Sequence, residues 1–160
     1  MLRRLRLVLG LFVLGLVLSG VTAFPLLHEL EMLASARGLD QAGASEVSNS
    51  MDSWILTVRD ALRDVYARYP WIAYGTDWLA FGHLVIAVFF IGPMIHPVRN
   101  VWVLHAGLIA CVLVIPLALI CGEVRGIPWG WRFIDCSFGV LGAIPLLYCL
   151  KVVKRMEHRL

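Results

Sequence analysis

Charge is scarce in this chain. Of its 160 residues only 16% are charged, while 60% are hydrophobic, and the mean hydropathy is +0.81. An ordinary soluble domain is about 45–50% apolar. The excess comes in blocks, the pattern of a polytopic membrane protein. The net charge of +3 is small and sits mostly at the chain ends. No arginine-rich face carries interleaved aromatics, which excludes nucleic acid as a partner. Short alternating strands are missing, which excludes a β-barrel. There is no glycine-rich phosphate loop, Ser-His-Asp arrangement or paired-carboxylate spacing. None of the four cysteines, Cys111, Cys121, Cys136 and Cys149, forms a C-x-x-C. A zinc knuckle or a thioredoxin-like dithiol is therefore not indicated. All four lie in or beside apolar segments, where cysteine acts as a small hydrophobe.

What is present is four apolar stretches, at about 7–27, 78–95, 101–122 and 133–150, the last interrupted only by Asp135. Each approaches or exceeds the ~20 residues that carry a helix across ~30 Å of hydrocarbon. The expected fold class is all-α: a polytopic membrane protein, a single membrane domain over 1–160, with four transmembrane helices and an extracytoplasmic amphipathic helix at about 46–69. The first stretch follows a basic segment (Arg3, Arg4, Arg6) and ends near V-T-A, features a cleaved signal peptide would share. A retained helix is the expectation, because the apolar run continues past that site into F-P-L-L. Pro116 and Pro145 predict kinks. Gly15 and Ser19, Ala106 and Ala110, and Gly139 and Ala143 are small-x-x-x-small pairs that permit close helix packing.

Lysine and arginine set the orientation. With both termini cytoplasmic, Arg3, Arg4, Arg6, Arg99, Lys151, Lys154, Arg155 and Arg159 lie inside, and only Arg125 and Arg132 mark the short outer turn. The long segment from His28 to Thr76 then lies outside. Within it Val47, Met51, Trp54, Ile55, Val58, Leu62, Val65, Tyr66 and Tyr69 recur every three or four residues, opposite Asp52, Arg59, Asp60, Arg63 and Asp64. Ser45 or Ser48 is the expected cap of this helix, and Pro70 its stop. A shorter helix is expected from Pro25 to Ala36, ended by Gly38. Tyr69, Trp71, Tyr74, Trp78, Trp129 and Trp131 fit the interfacial aromatic belt.

The polar groups gather at the outer third. Asp77, His83, Glu123, Arg125, Arg132, Asp135 and Cys136 form the candidate pocket, with Cys121 and Cys136 flanking one turn as a candidate disulfide. By helix rise, His83 lies roughly 9 Å and Asp135 roughly 5 Å below the surface. Asp77 and Asp135 would serve as helix-start caps paired with Arg125 or Arg132, or as walls of a hydrated pocket. Asp77 and His83 stand about 120° apart around their helix, so Asp135 of another helix would have to complete a site. His83 and His105 differ in depth by roughly 13 Å, which excludes one haem iron between them. No metal-ligand spacing such as H-x-x-x-H occurs, so no metal or other cofactor is expected.

The runs Y-G-T-D-W-L-A-F-G-H, H-P-V-R-N and R-G-I-P-W-G-W-R-F-I-D-C-S-F-G resemble a small uncharacterised family of bacterial integral membrane proteins. The resemblance spans about Pro70 to Cys149 and implies a bacterial inner-membrane protein; it carries no catalytic roles. The functional expectation is a small binding or accessory protein, using an outer polar pocket for a lipid, a small-molecule ligand or a membrane protein partner. Two alternatives stand beside it: a membrane enzyme doing redox or proton-transfer chemistry with His83, Asp135 and Cys136, and a structural subunit of a membrane complex.

Overall fold

A computed structural model describes residues 1–158; Arg159, one of the charges expected on the cytoplasmic side, lies outside them. Every regular element among the described residues is helical. In chain order these are α1 (Leu2–Ala23), α2 (Leu26–Ala36), a 3₁₀ turn (Ala44–Glu46), α3 (Ser50–Arg68), a second 3₁₀ turn (Pro70–Ile72), α4 (Ala73–Phe89), α5 (Ile91–Ile95), α6 (Val101–Val124) and α7 (Trp129–Glu157). Four helical segments are long and apolar enough to cross a membrane: Leu2–Ala23, Pro70–Ile95, Val101–Val124 and Trp129–Glu157. They correspond to the four apolar stretches, with different ends. The first stops at Ala23 rather than Leu27 because Pro25 lacks an N–H and restricts Phe24. The last begins at Trp129 and runs on through the basic end to Glu157, because lysine and arginine are good helix formers. Both α6 and α7 continue through Pro116 and Pro145.

The contacts group into two compact units, Met1–Val17 with Leu84–Leu160, and Leu18–His83. The first is organised by the α6–α7 hairpin. Leu5, Leu9, Phe90, Leu104, Leu146 and Cys149 form much of its core, and Phe12 meets Phe90 edge-on at 4.9 Å. Close approach of α6 and α7 is made possible by glycine. A Cβ at Gly139 would collide with the Cys111 carbonyl oxygen and lie 2.6 Å from Val114 Cγ1; one at Gly107 would lie 2.8 Å from Leu146 and from Phe90. The small pair expected on α6, Ala106 and Ala110, instead faces outward, and Gly15 has nothing within 4 Å. At the other end of this unit α4 breaks at Phe90, where the amide turns to Ala87 at 3.2 Å. Pro93 causes the break: its ring clashes with the carbonyl four residues back. Asn100 adds side-chain bonds to Gly92 O (3.2 Å) and His96 O (3.0 Å), which also accept backbone amides, and Arg6 Nε donates to Met94 O (2.9 Å), a carbonyl the short helix leaves open.

In the second unit α2 packs on α3. Arg37 pairs with Asp52, and Arg63 with Glu31 at 2.8 Å, which sets the helices antiparallel. The hydrogen bond and charge of Asp52 raise the Arg37 pKa above its ordinary value, and the bond to Glu31 does the same for Arg63, so both remain cationic at any physiological pH. Gly38 stops α2 as expected. Its φ of +70° is left-handed, and Leu39 N donates back to Ala34 O at 2.9 Å. The cap of α3 is neither Ser45 nor Ser48 but Asn49, whose side chain accepts from Met51 N at 2.9 Å.

Arg59 overturns the simple two-faced reading of α3. It is 6% exposed, beside the buried Ile55 and Leu56. Its guanidinium donates to Asp60 (2.7 Å), Leu39 O (3.4 Å) and Ala42 O (3.5 Å), tying the 39–46 connection to the helix. Arg59→Leu keeps an apolar stem but leaves the Ala42 carbonyl without its donor and the Leu39 carbonyl with only the Ala42 amide. The expected cost is about 1–2 kcal/mol, with faster amide exchange confined to residues 39–46 of the full chain. Unchanged exchange there would show that the loop holds itself.

Candidate functional site

The turn of the α6–α7 hairpin is built around Arg132. α6 ends in a Schellman motif: Gly126 takes φ +66°, Gly126 N reaches Glu123 O at 3.2 Å, and Ile127 N reaches Gly122 O at 2.9 Å. Pro128 then starts α7 with its φ preset. One turn in, Arg132 folds back over the motif and is 5% exposed. Nε donates to Ile127 O at 2.7 Å, Nη1 to Glu123 Oε2 at 2.5 Å, and the guanidinium sits 4.5 Å from the Trp129 ring centre. The bare Cα of Gly122 makes room, since a Cβ there would lie 2.8 Å from Arg132 Cδ. Two candidate pocket residues, Glu123 and Arg132, are thus brought together as a clasp on the turn. Arg125 is exposed at the end of α6, where its amide donates to Cys121 O.

Further along α7, Asp135 is half-buried, and no hydrogen bond or ion pair engages its carboxylate among the described residues. It lies six residues inside α7, too far in to cap it, and Arg132 is taken by Glu123 rather than by an aspartate. Cys136 points its thiol at Ile115 O, 4.0 Å away. Ile115 is six residues before Cys121, roughly 9 Å along the helix. The structure therefore does not bring Cys121 and Cys136 together; all four cysteines are free thiols, Cys121 exposed and Cys149 buried. His105 faces outward on α6.

In the Leu18–His83 unit the two candidate pocket residues of α4, Asp77 and His83, part company. His83 is turned back on its own helix, its Nδ1 2.9 Å from Leu79 O. That carbonyl can only accept, so the contact is a hydrogen bond in the tautomer that carries its proton on Nδ1. Asp77 lies four residues inside α4 and does not cap it; Thr76 donates back to Ala73 O at 2.7 Å and does not cap it either. Instead Asp77 lines a shallow recess of about 310 Å³ with Phe24, Tyr74, Trp78 and Phe81. No family model, curated protein or solved structure matches this chain.

The recess follows from spacing. Tyr74, Asp77, Trp78 and Phe81 stand at i, i+3, i+4 and i+7, one stripe of α4. Tyr74 meets Trp78 at 5.9 Å and Trp78 meets Phe81 at 6.0 Å, both nearly perpendicular. Phe24, between α1 and α2, completes the wall. As aromatic-belt residues, Tyr74 and Trp78 are legible in the sequence; the contribution of Phe24, distant in the chain, is not. Among the described residues no donor engages the Asp77 carboxylate. No group of three or more His, Cys, Asp or Glu side chains gathers among the described residues in a way that would hold a metal ion.

Proposed function

We propose that this protein is a small binding or accessory protein of the bacterial inner membrane, working from its extracytoplasmic side. The observation that carries the reading is Asp77: a part-buried carboxylate that no donor engages among the described residues, beside an aromatic recess and on a helix apolar enough to span a membrane. Ionisable groups in such segments are costly and usually serve a purpose. Three of the other candidate groups have structural employment: Glu123 and Arg132 clasp a turn, and His83 Nδ1 bonds to its own helix. That favours binding over redox or proton-transfer chemistry at His83, Asp135 and Cys136.

The sidedness rests on the basic ends of the chain, which favour cytoplasmic termini and an outer position for α3. Native mass spectrometry with lipid analysis on gently extracted protein tests the function. The expected spectrum shows one small adduct per chain. A stoichiometric protein partner with no adduct would replace this reading with that of a structural subunit.

A further inference from the structure

We infer that the groove between the end of α4 and α6 holds an anionic phospholipid, one acyl chain lying along α6 and the phosphate beside Arg99. This site is separate from the Asp77 recess and goes beyond the binding reading above. The groove lies wholly within the unit of residues 1–17 and 84–160 and encloses about 220 Å³. Ile86, Phe89 and Phe90 wall one side, and Trp102, Ala106 and Ala110 the other. A mismatch in size creates it. Gly107 lets Phe90 close on α6, since a Cβ there would lie 2.8 Å from that ring. Ala106 and Ala110, both exposed, then leave space beside much larger neighbours. From Trp102 to Ala110 the groove follows α6 for about 12 Å. Its volume over that length gives a cross-section of roughly 18 Å². That admits one hydrocarbon chain and not a partner helix, which is about 10–12 Å across with its side chains.

Charge names the head group. The start of α1, the short α5, the start of α6 and the end of α7 meet at one end of this unit. Arg6 Nε donates to Met94 O at 2.9 Å, Asn100 to Gly92 O at 3.2 Å, and Cys149 Sγ to Leu5 O at 3.9 Å. Residues 1–6, 91–106 and 146–158 together carry seven arginines and lysines against one acid, Glu157. No ion pair engages any of these cations among the described residues. Arg99 is the one nearest the groove in the chain. It is exposed and stands three residues before Trp102. Asn100 N bonds to His96 O and Val103 N to Asn100 O, both at 3.1 Å, so the chain is already wound as it passes Arg99. Arg99 therefore lies within about one helical turn of the groove's Trp102. An exposed tryptophan at a helix start suits the head-group level of a bilayer. A neutral apolar molecule would fill the groove and leave the cations unanswered; a free anion would do the reverse. An anionic phospholipid supplies chain and charge in one molecule, and basic pockets between membrane helices take such head groups.

The test adds equimolar dioleoyl phosphatidylglycerol and dioleoyl phosphatidylcholine to the delipidated full chain in maltoside micelles and counts bound lipid by native mass spectrometry. The known lipid masses keep this apart from any adduct carried through extraction. One-to-one binding of phosphatidylglycerol, preferred over phosphatidylcholine, is expected. Arg99→Gln is expected to weaken phosphatidylglycerol about fivefold and to leave phosphatidylcholine unchanged. Ala106→Leu, which fills the groove from an exposed position, is expected to weaken both severalfold. Lys154→Gln removes the same charge on another helix and is expected to cost less than Arg99→Gln. Thermal unfolding of each variant shows that it remains folded. Equal losses in Lys154→Gln and Arg99→Gln would mean diffuse attraction and overturn the assignment. So would the absence of any preference between the lipids, or undiminished binding in Ala106→Leu. Inorganic phosphate displacing the lipid at equal concentration would make the occupant a free anion. A lipid-free dimer that Ala106→Leu turns into monomers would replace the lipid by a second copy of the chain.

Discussion

Gly139→Ala is expected to lower stability by about 2–3 kcal/mol, whereas Gly15→Ala is expected to be neutral or slightly stabilising. Both glycines open a small-x-x-x-small pair, so a pattern reading treats them alike. The packing separates them. A methyl group at 139 meets the Cys111 carbonyl oxygen and the Val114 side chain, and a backbone atom within a helix cannot step aside. The hairpin must spread, losing contacts along its length, and overpacking of this kind typically costs about 1–3 kcal/mol. At Gly15 nothing lies within 4 Å, so alanine adds only its better helix propensity, up to ~1 kcal/mol. Equilibrium unfolding in mixed dodecyl sulfate and maltoside micelles measures both. Equal effects would mean that α6 and α7 do not pack through Gly139.

The second large effect is at Arg132. Arg132→Ala removes the bond to Ile127 O, the pair with Glu123, the contact with Trp129 and the packing over Gly122. Hydrogen bonds from a charged group contribute about 1.5–3 kcal/mol, so a total loss of about 2–3 kcal/mol is expected. Glu123→Gln is expected to cost under ~1 kcal/mol. Its side chain is 72% exposed, and an ion pair with one partner in solvent is weak. Arg132→Lys is expected to resemble the alanine variant more than the wild type, because lysine cannot present Nε and Nη1 to two acceptors at once. If Glu123→Gln proves as damaging as Arg132→Ala, the clasp is an ion pair first and a turn lock second.

These contrasts mark what the sequence discloses. The four apolar segments, the amphipathic α3 and the Gly38 stop are legible because each depends on composition or spacing within a single stretch. The all-helical architecture follows from them. What a helix-by-helix reading misses is pairing between distant residues. Arg59 sits on a polar-looking stripe, yet it is buried because the 39–46 connection lies across it and offers carbonyls. Asp77 and Asp135 look like caps from their distance to the apolar runs, but both helices begin earlier than those runs do, at Ala73 and Trp129. The aromatic belt conceals a recess because only Phe24, some fifty residues away in sequence, encloses the α4 stripe.

The proposed sidedness puts residues 28–76 outside the membrane and the basic end of α7 inside. Labelling with a membrane-impermeant maleimide tests this directly. The reporters are Asp40→Cys and Lys154→Cys, both at exposed positions, in a chain where the exposed Cys121 is replaced by serine. In intact spheroplasts the cysteine at position 40 is predicted to label, and the one at 154 only after permeabilisation. Labelling of 154 without 40 in intact spheroplasts would contradict the account, because the Asp77 recess would then face the cytoplasm.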